Sequence, residues 1–202
     1  MIDRTQANLV KAAIEIERCN RRMELILAPL EVDVKFASTQ LVGDKKNQQF
    51  WRRTIIRCLL AYTEALVWSM KACTPLIASV SNTKLTVADL EILHEQRTIS
   101  RDGKTEVRPN FLKFRDNLKA TFSLFAKAYG TNFKVECNKG FDALCEIYDL
   151  RSRLMHPKEP FDINVSDSNT ASVEQGYLWL SNEYARLMDE CEKASLQFGI
   201  KK

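Results

Sequence analysis

The stretch KKNQQFWRRTIIRCLLAYTEALVWSMKA, residues 45–72, decides the fold class of this chain. Apolar side chains recur in it at steps of three and four residues, which is the period of an α-helix. They form one wide stripe, made of Trp51, Ile55, Ile56, Leu59, Leu60, Tyr62, Leu66, Val67 and Met70. A helix with so wide an apolar face is typical of the centre of a helical bundle. We therefore predict a long central helix over residues 45–72.

Four further segments have the same helical period, and we predict helices over residues 3–28, 110–129, 139–156 and 172–197. Asp3 is predicted to cap the first of these helices, and Pro29 is predicted to end it. Residues 30–44 are then a connection with a turn at Gly43 and Asp44.

Residues 81–109 differ in character from the bundle helices. Thr86 with Asp89 three residues later is typical of a capping box, which predicts the start of a short helix. Asp102-Gly103 lies between two alternating segments and is a strong signal for a β-hairpin turn. We predict an inserted helix and hairpin here. His94 falls in this insert and is expected to be an exposed polar residue.

The predicted architecture is all-α, an up-and-down helical bundle of four or five long helices in a single domain over residues 1–202. Scarce glycine and proline favour long helices over a sandwich or barrel. Gly130 is predicted to end the helix over 110–129 as its C′ residue. Residues 158–171 are polar and irregular, with a short strand predicted at FDINV, residues 161–165.

Composition limits the classes of function. The net charge of +4 permits a phosphate-bearing partner without implying one. The N-terminus lacks the apolar run and cleavage site of a secretory signal, and the best apolar run, CLLAYTEALVWSM at 58–70, is interrupted by Glu64. We therefore expect a cytoplasmic protein that does not enter a membrane.

The six cysteines and two histidines do not form a recognisable metal site or disulfide framework. No cysteine belongs to a C-x-x-C pair, and a chain of this length has no need of disulfides to stabilise its core. We predict that the cysteines are buried reduced thiols, and we predict no metal and no cofactor.

The stretch LRSRLMHPKEP, residues 150–160, carries the one pattern that points to chemistry. Pro157 disfavours the helical conformation at His156, so the helix is predicted to stop there. In a continuous helix the five-residue offset would turn His156 about 140° away from Arg151. A helix that ends at His156 lets the imidazole turn back toward the arginine.

An arginine and a histidine in one cleft suit a phosphodiester. Arginine offers a planar, permanently charged fork to phosphate oxygens, and histidine acts as a general acid or base near neutral pH. The other interpretation is that His156 only caps a helix. On the helix over 45–72, Arg53, Arg57 and Glu64 form a polar stripe that we interpret first as a solvated face.

RSRLMH, residues 151–156, resembles the motif of the HEPN superfamily. In that motif a polar residue follows an arginine, and a total gap of four to six residues separates the arginine from a histidine. The gap here is four residues. FDALCEIYDLRSRLMHP at 141–157 and WRRTIIRCLLAYTEALVWSMKA at 51–72 look like the two HEPN helices that build the site. The resemblance implies a helical bundle that dimerises, with two motifs facing one cleft. Many members are metal-independent ribonucleases, and others only bind partners.

The resemblance implies that Arg151 and His156 are the catalytic pair. It also implies that Ser152 occupies the polar position of the motif, where the family often has asparagine. Arg153 either adds positive charge beside this pair or is itself the arginine of the motif in place of Arg151. Glu64 is expected to orient Arg151 or His156. The leading hypothesis is a homodimeric endoribonuclease acting on RNA in phage defence or with an antitoxin. The alternatives are a non-catalytic HEPN-like bundle that binds a protein or nucleotide partner, and a helical adaptor in which His156 is only a cap.

Overall fold

A computed structural model describes residues 4–101 and 104–197 of the chain. Within these ranges it contains six α-helices, one two-stranded antiparallel sheet and one 3₁₀ turn. In chain order they are α1 (Arg4–Gly43), α2 (Gln48–Val80), α3 (Val87–His94), β1 (Gln96–Arg101), β2 (Lys104–Pro109), α4 (Phe114–Ala128), α5 (Lys139–Met155), the 3₁₀ turn (Pro160–Ile163) and α6 (Asp167–Gln197). The prediction of an all-α bundle with an inserted helix and hairpin is confirmed.

The chain forms two compact units, each with its own packing. The insert unit takes its described residues from 1–23, 67–135 and 186–202, and it includes the hairpin. The motif unit comprises residues 24–66 and 136–185, and it includes Arg151 and His156. The single domain stays a prediction, because α1, α2 and α6 contribute residues to both units.

The prediction that the first helix ends before Pro29 is wrong. The helix α1 runs through this proline as far as Gly43, so residues 30–43 are helical and not a connection. After the proline, Val34 and Ala37 are buried, with 4% and 1% of their surface exposed. Burying a valine contributes about 1.5–3 kcal/mol, comparable with the roughly 3 kcal/mol that a proline costs inside a helix. Asp3, the predicted cap, lies outside the described residues.

The helix α2 carries the apolar stripe that the sequence predicts. Most of the stripe is buried, while Trp51 and Tyr62 are half-buried. The helix begins three residues later than predicted and ends eight residues later, because it runs through Pro75 to Val80. Its buried face continues beyond residue 72 with Cys73, Thr74, Ile77 and Ala78. Burial of this extra segment therefore outweighs the helix-breaking tendency of Pro75.

The insert over residues 81–109 forms as predicted. The Thr86 hydroxyl accepts the N–H of Asp89 at 3.2 Å, and the Asp89 carboxylate accepts the N–H of Thr86 at 2.7 Å, which is a capping box. Arg101 pairs with Lys104 at the end of the hairpin. The connecting dipeptide Asp102-Gly103 lies outside the described residues.

Boundaries near the other helices are partly corrected. Phe111 is 74% exposed and precedes α4, so it does not belong to that helix's apolar face. Gly130 has a φ of 75° and follows α4 as its C′ glycine, as predicted. The last helix begins at Asp167, five residues earlier than predicted.

The predicted strand at 161–165 is wrong. Residues Pro160–Ile163 form a 3₁₀ turn, which Pro160 starts because its fixed φ suits the first position of a helical turn. The carboxylate of Asp162 accepts the backbone N–H groups of Lys158 and Glu159 at 2.9 and 3.0 Å. These bonds satisfy the backbone within the turn, so the segment needs no neighbouring strand.

The six cysteines form no disulfides and lie in differing environments. The buried ones are Cys19, Cys73 and Cys191, the half-buried ones are Cys58 and Cys145, and the exposed one is Cys137. Burial raises the pKa of both Cys73 and Cys191 to about 12, so these two thiols stay protonated. The prediction of buried thiols is confirmed for three cysteines and wrong for Cys137.

Close helix packing in the motif unit requires a glycine at the start of α5. A Cβ atom on Gly140 would lie 2.5 Å from the Cβ atom of Trp179, whose ring packs on Phe141 with 5.0 Å between centroids. We expect Gly140→Ala to lower the free energy of unfolding by about 1–3 kcal/mol, because the helices must move apart. Urea unfolding followed by circular dichroism measures this change.

The matched control is Gly43→Ala at the end of α1. A Cβ atom there has no other atom within 4 Å, so this variant should keep or raise the stability by up to about 1 kcal/mol. Equal unfolding midpoints for the two variants would contradict the packing argument.

Candidate functional site

The motif lies at the end of α5, whose position is fixed by its cap and its apolar face. The side chain of Asn138 accepts the N–H groups of Gly140 and Phe141 at 2.9 and 3.4 Å and starts the helix. The buried face consists of Phe141, Ala143, Leu144, Ile147, Leu150 and Leu154. Between Leu150 and Leu154 the chain carries Arg151, Ser152 and Arg153, whose polar groups remain accessible.

The helix α5 ends where the sequence predicts. Met155 is its last residue, and His156 is the C-cap with φ −133° and ψ 60°. The backbone N–H of His156 donates to the carbonyl of Ser152 at 3.2 Å. The side chain of His156 is exposed. The prediction that Pro157 stops the helix at this residue is therefore confirmed.

Arg151 is held by Glu64 of α2 through two contacts. Nη1 of Arg151 lies 3.2 Å from Oε1 of Glu64, and Nη2 lies 3.3 Å from Oε2. This is the side-by-side arrangement of a guanidinium and a carboxylate. The side chain of Arg151 is 31% exposed and that of Glu64 is 41% exposed. The pair is thus formed at the surface of the motif unit, where solvent still reaches the guanidinium.

The structure brings Arg151 and Glu64 together but does not join either of them to His156. Within the described residues, the imidazole makes no hydrogen bond or ion pair. It stands one residue beyond the helix that carries Arg151. Both nitrogens of the imidazole are therefore open to a ligand.

Ser152 and Arg153, which follow Arg151 in the chain, have different surroundings. The Ser152 hydroxyl donates to the carbonyl of Tyr148 at 3.3 Å, one turn earlier in α5. Arg153 is exposed and lies near Asp162. The backbone N–H groups of Lys158 and Glu159 hold the pKa of the Asp162 carboxyl below its ordinary value, and the charges of Arg153 and Lys158 lower it further.

The chain returns to α2 directly after the motif. We call residues 157–166 the return segment. The amide of Gln49 donates to the carbonyl of Val165 at 2.9 Å and accepts the N–H of Val165 at 3.1 Å. Arg52 donates to the same carbonyl at 2.8 Å and pairs with Asp167. Val165 is fully buried beneath these contacts.

Arg53 completes this attachment by donating to the carbonyl of Ile163 at 3.2 Å. Arg53 is therefore a half-exposed residue of the predicted polar stripe that has a backbone partner, whereas Arg57 is exposed and has no polar partner among the described residues. Sequence reasoning missed Gln49 and Arg52 altogether. Their spacing with Arg53 places all three on adjoining positions of α2, but nothing in the sequence identifies the backbone that they bind.

The contacts with the return segment and with α5 lie on the same side of α2. Arg53 and Glu64 are eleven residues apart, which is close to three helical turns and about 16 Å along the axis. Arg57 lies between them on α2, and His156 lies in the chain between their two partners, Arg151 and Ile163. We use the name basic face for the set of cationic residues on α2, at the end of α5 and at the start of the return segment, which are Arg53, Arg57, Arg151, Arg153, His156 and Lys158.

No group of three or more histidine, cysteine, aspartate or glutamate side chains in the described part of the chain is arranged to hold a metal ion. What the basic face offers is a set of guanidinium donors, one ammonium group and one open imidazole. This set suits an anionic ligand with several oxygen acceptors, such as a phosphodiester.

We expect the Arg151–Glu64 pair to contribute little to stability, because both side chains are partly in water. A double-mutant cycle with Glu64→Gln and Arg151→Gln should give a coupling energy of about 0.2–1 kcal/mol in urea unfolding. The reference cycle uses Lys71 and Glu95 of the insert unit, which lie 2.8 Å apart with Lys71 only 6% exposed. A larger coupling at Arg151–Glu64 than at Lys71–Glu95 would contradict this expectation.

The depressed pKa of Asp162 predicts a pH-dependent turn. Its ionised form stabilises the fold fully above the unfolded-state pKa of about 3.9, and this contribution is lost as the pH falls through the lower pKa of the folded state. Asp162→Asn should therefore be less stable than the parent at pH 7, and the difference should shrink as the pH falls below about 4. Urea midpoints measured across this range test it, and a difference that stays constant with pH would refute it.

No helix within residues 4–101 and 104–197 combines the length and apolarity that a membrane-spanning segment needs. Comparison with known proteins finds no matching family model, no matching curated protein and no matching solved structure. The residues of the basic face and their contacts are therefore what indicates a function for this chain.

Proposed function

We propose that this protein is a metal-independent endoribonuclease of HEPN type that uses Arg151 and His156 at the cleft of a homodimer. The observation that carries the proposal is the combination of an oriented, half-exposed arginine with an open, exposed imidazole five residues later. Both belong to the basic face, whose charge suits an RNA backbone.

Arg151 is suited to bind the scissile phosphate. Its guanidinium has five N–H donors, and its contacts with Glu64 engage two of its three nitrogens, so donors remain for phosphate oxygens. The carboxylate fixes the plane of the fork before any ligand arrives. A fixed donor stabilises the charge that develops on phosphorus without having to reorganise.

His156 is suited to move protons, because its side chain is exposed and has no partner in the described part of the chain. In the proposed step, one imidazole takes the proton of the RNA 2′-hydroxyl while that oxygen bonds to phosphorus. The bond from phosphorus to the 5′-oxygen breaks, and a protonated imidazole from the second copy of the motif gives its proton to this leaving oxygen. The products are a 2′,3′-cyclic phosphate and a 5′-hydroxyl end.

The wider role that fits this activity is phage defence or growth arrest. An unregulated ribonuclease of this kind would damage its own cell, so an antitoxin or another protein partner would have to cover the basic face until cleavage is required. The motif's resemblance to the HEPN superfamily is what supports this part of the proposal.

One observation favours a second candidate function, a non-catalytic HEPN-like bundle that dimerises and binds a protein or nucleotide partner. Glu64 already occupies one edge of the Arg151 fork, as it would in an ion pair that serves only to join α2 to α5. In that case the basic face binds a partner's phosphate or carboxylate groups, and His156 performs no proton transfer.

We expect the purified protein to cleave single-stranded RNA in the presence of EDTA. Arg151→Ala and His156→Ala should each reduce the rate of cleavage by about 10²- to 10⁴-fold, the range for losing a charge-stabilising or proton-transferring group. The matched control is His94→Ala, which removes the other exposed histidine and should leave the rate unchanged. Cleavage products are resolved on a gel and assayed for a cyclic phosphate.

Equal cleavage by the parent and both variants would refute the catalytic pair. If the parent does not cleave RNA but is a dimer by light scattering, the non-catalytic bundle is the better description. A monomer without activity would leave His156 as a helix cap in a plain adaptor.

A further inference from the structure

An exposed aromatic ring follows the motif in the chain. Phe161 lies five residues after His156, in the 3₁₀ turn, and is 68% exposed. Met155, six residues earlier, and Ile163, two residues later, are also about half exposed, at 48% and 46%. A ring exposed to this extent is accessible to a ligand.

The turn that presents Phe161 is firmly attached. The carbonyl of Phe161 accepts the N–H of Asn164 at 3.1 Å. The next residue, Asp162, is buried and accepts two backbone N–H groups. Arg53 holds the carbonyl of Ile163. The ring is therefore displayed from an anchored backbone, which lowers the entropy that binding would lose.

Three cationic side chains lie near this turn. Arg53 donates to the carbonyl of Ile163, and the charges of Arg153 and Lys158 act on the carboxylate of Asp162. The charge of Asp162 is buried and bound by backbone N–H groups, so the exposed acidic side chain next to the turn is Glu159. The balance of exposed charge favours an anionic ligand over a basic or a purely apolar one.

We propose that Phe161 stacks on an unpaired nucleobase of the RNA that binds the basic face, and so makes the site selective for single strands. Proteins that bind single-stranded RNA combine exposed aromatic rings with arginine and lysine side chains, because every base offers a flat face to a ring. Bases in a duplex are stacked on each other and are closed to such a ring. This inference rests on the proposed function for the identity of the ligand, but it concerns binding and not cleavage.

The test measures binding in a His156→Ala background, so that the RNA stays intact. Fluorescence anisotropy compares a labelled single-stranded RNA with the same strand in a duplex. Phe161→Ala should weaken binding of the single strand by about 5- to 100-fold, the effect of losing one base–aromatic contact. Phe161→Trp should keep the affinity, and both variants should bind the duplex as weakly as the parent.

Phe111→Ala is the matched control, because Phe111 is a comparably exposed phenylalanine in the insert unit, and it should leave the affinity unchanged. Unchanged single-strand affinity in Phe161→Ala, or a parent that binds no single-stranded RNA, would overturn the inference. So would a change of oligomeric state in Phe161→Ala, because the ring would then belong to a protein interface. If Phe161 controls binding while the wild-type protein cleaves nothing, the stacking site stands and the ribonuclease proposal fails.

Discussion

Burial of α2 is the constraint on which the rest of the structure depends. From Ile55 to Ala78 this helix presents buried side chains on several faces, so other elements must cover it along its length. Its N-terminal part must bury apolar residues and also place polar ones, since Gln49, Arg52 and Arg53 bind the return segment. The position of the basic-face residues on α2 thus follows from how this one helix is covered.

Glu64 illustrates how that constraint reaches the site. It lies between the buried Thr63 and the half-buried Ala65, so packing fixes the part of α2 from which its carboxylate projects. Arg151 meets it from α5, whose own position depends on a separate apolar face. Two independent packing requirements therefore determine the orientation of one guanidinium, and a surface ion pair that adds little stability gains a fixed geometry from its surroundings.

Sequence reasoning succeeds here where local chemistry decides the outcome. The capping box at Thr86 and the helix stop before Pro157 follow from contacts within a few residues, and both are present. It fails where tertiary burial outweighs local preference, as at Pro29 and Pro75, which lie inside helices that bury apolar residues beyond them. The return segment was missed for the same reason: its partners on α2 are more than 100 residues away in the chain.

The attachment of Val165 has a consequence for how this surface can vary in evolution. Gln49 and Arg52 bind the backbone of Val165, and Arg53 binds that of Ile163, so these four hydrogen bonds do not depend on which side chains the return segment carries. Apart from Pro157, Phe161 and Asp162, the residues between His156 and this anchor are therefore free to change in kind. They are not free to change in number, because an insertion or deletion would shift every exposed group relative to the motif. Variation among descendants of this chain should thus take the form of substitutions at constant length.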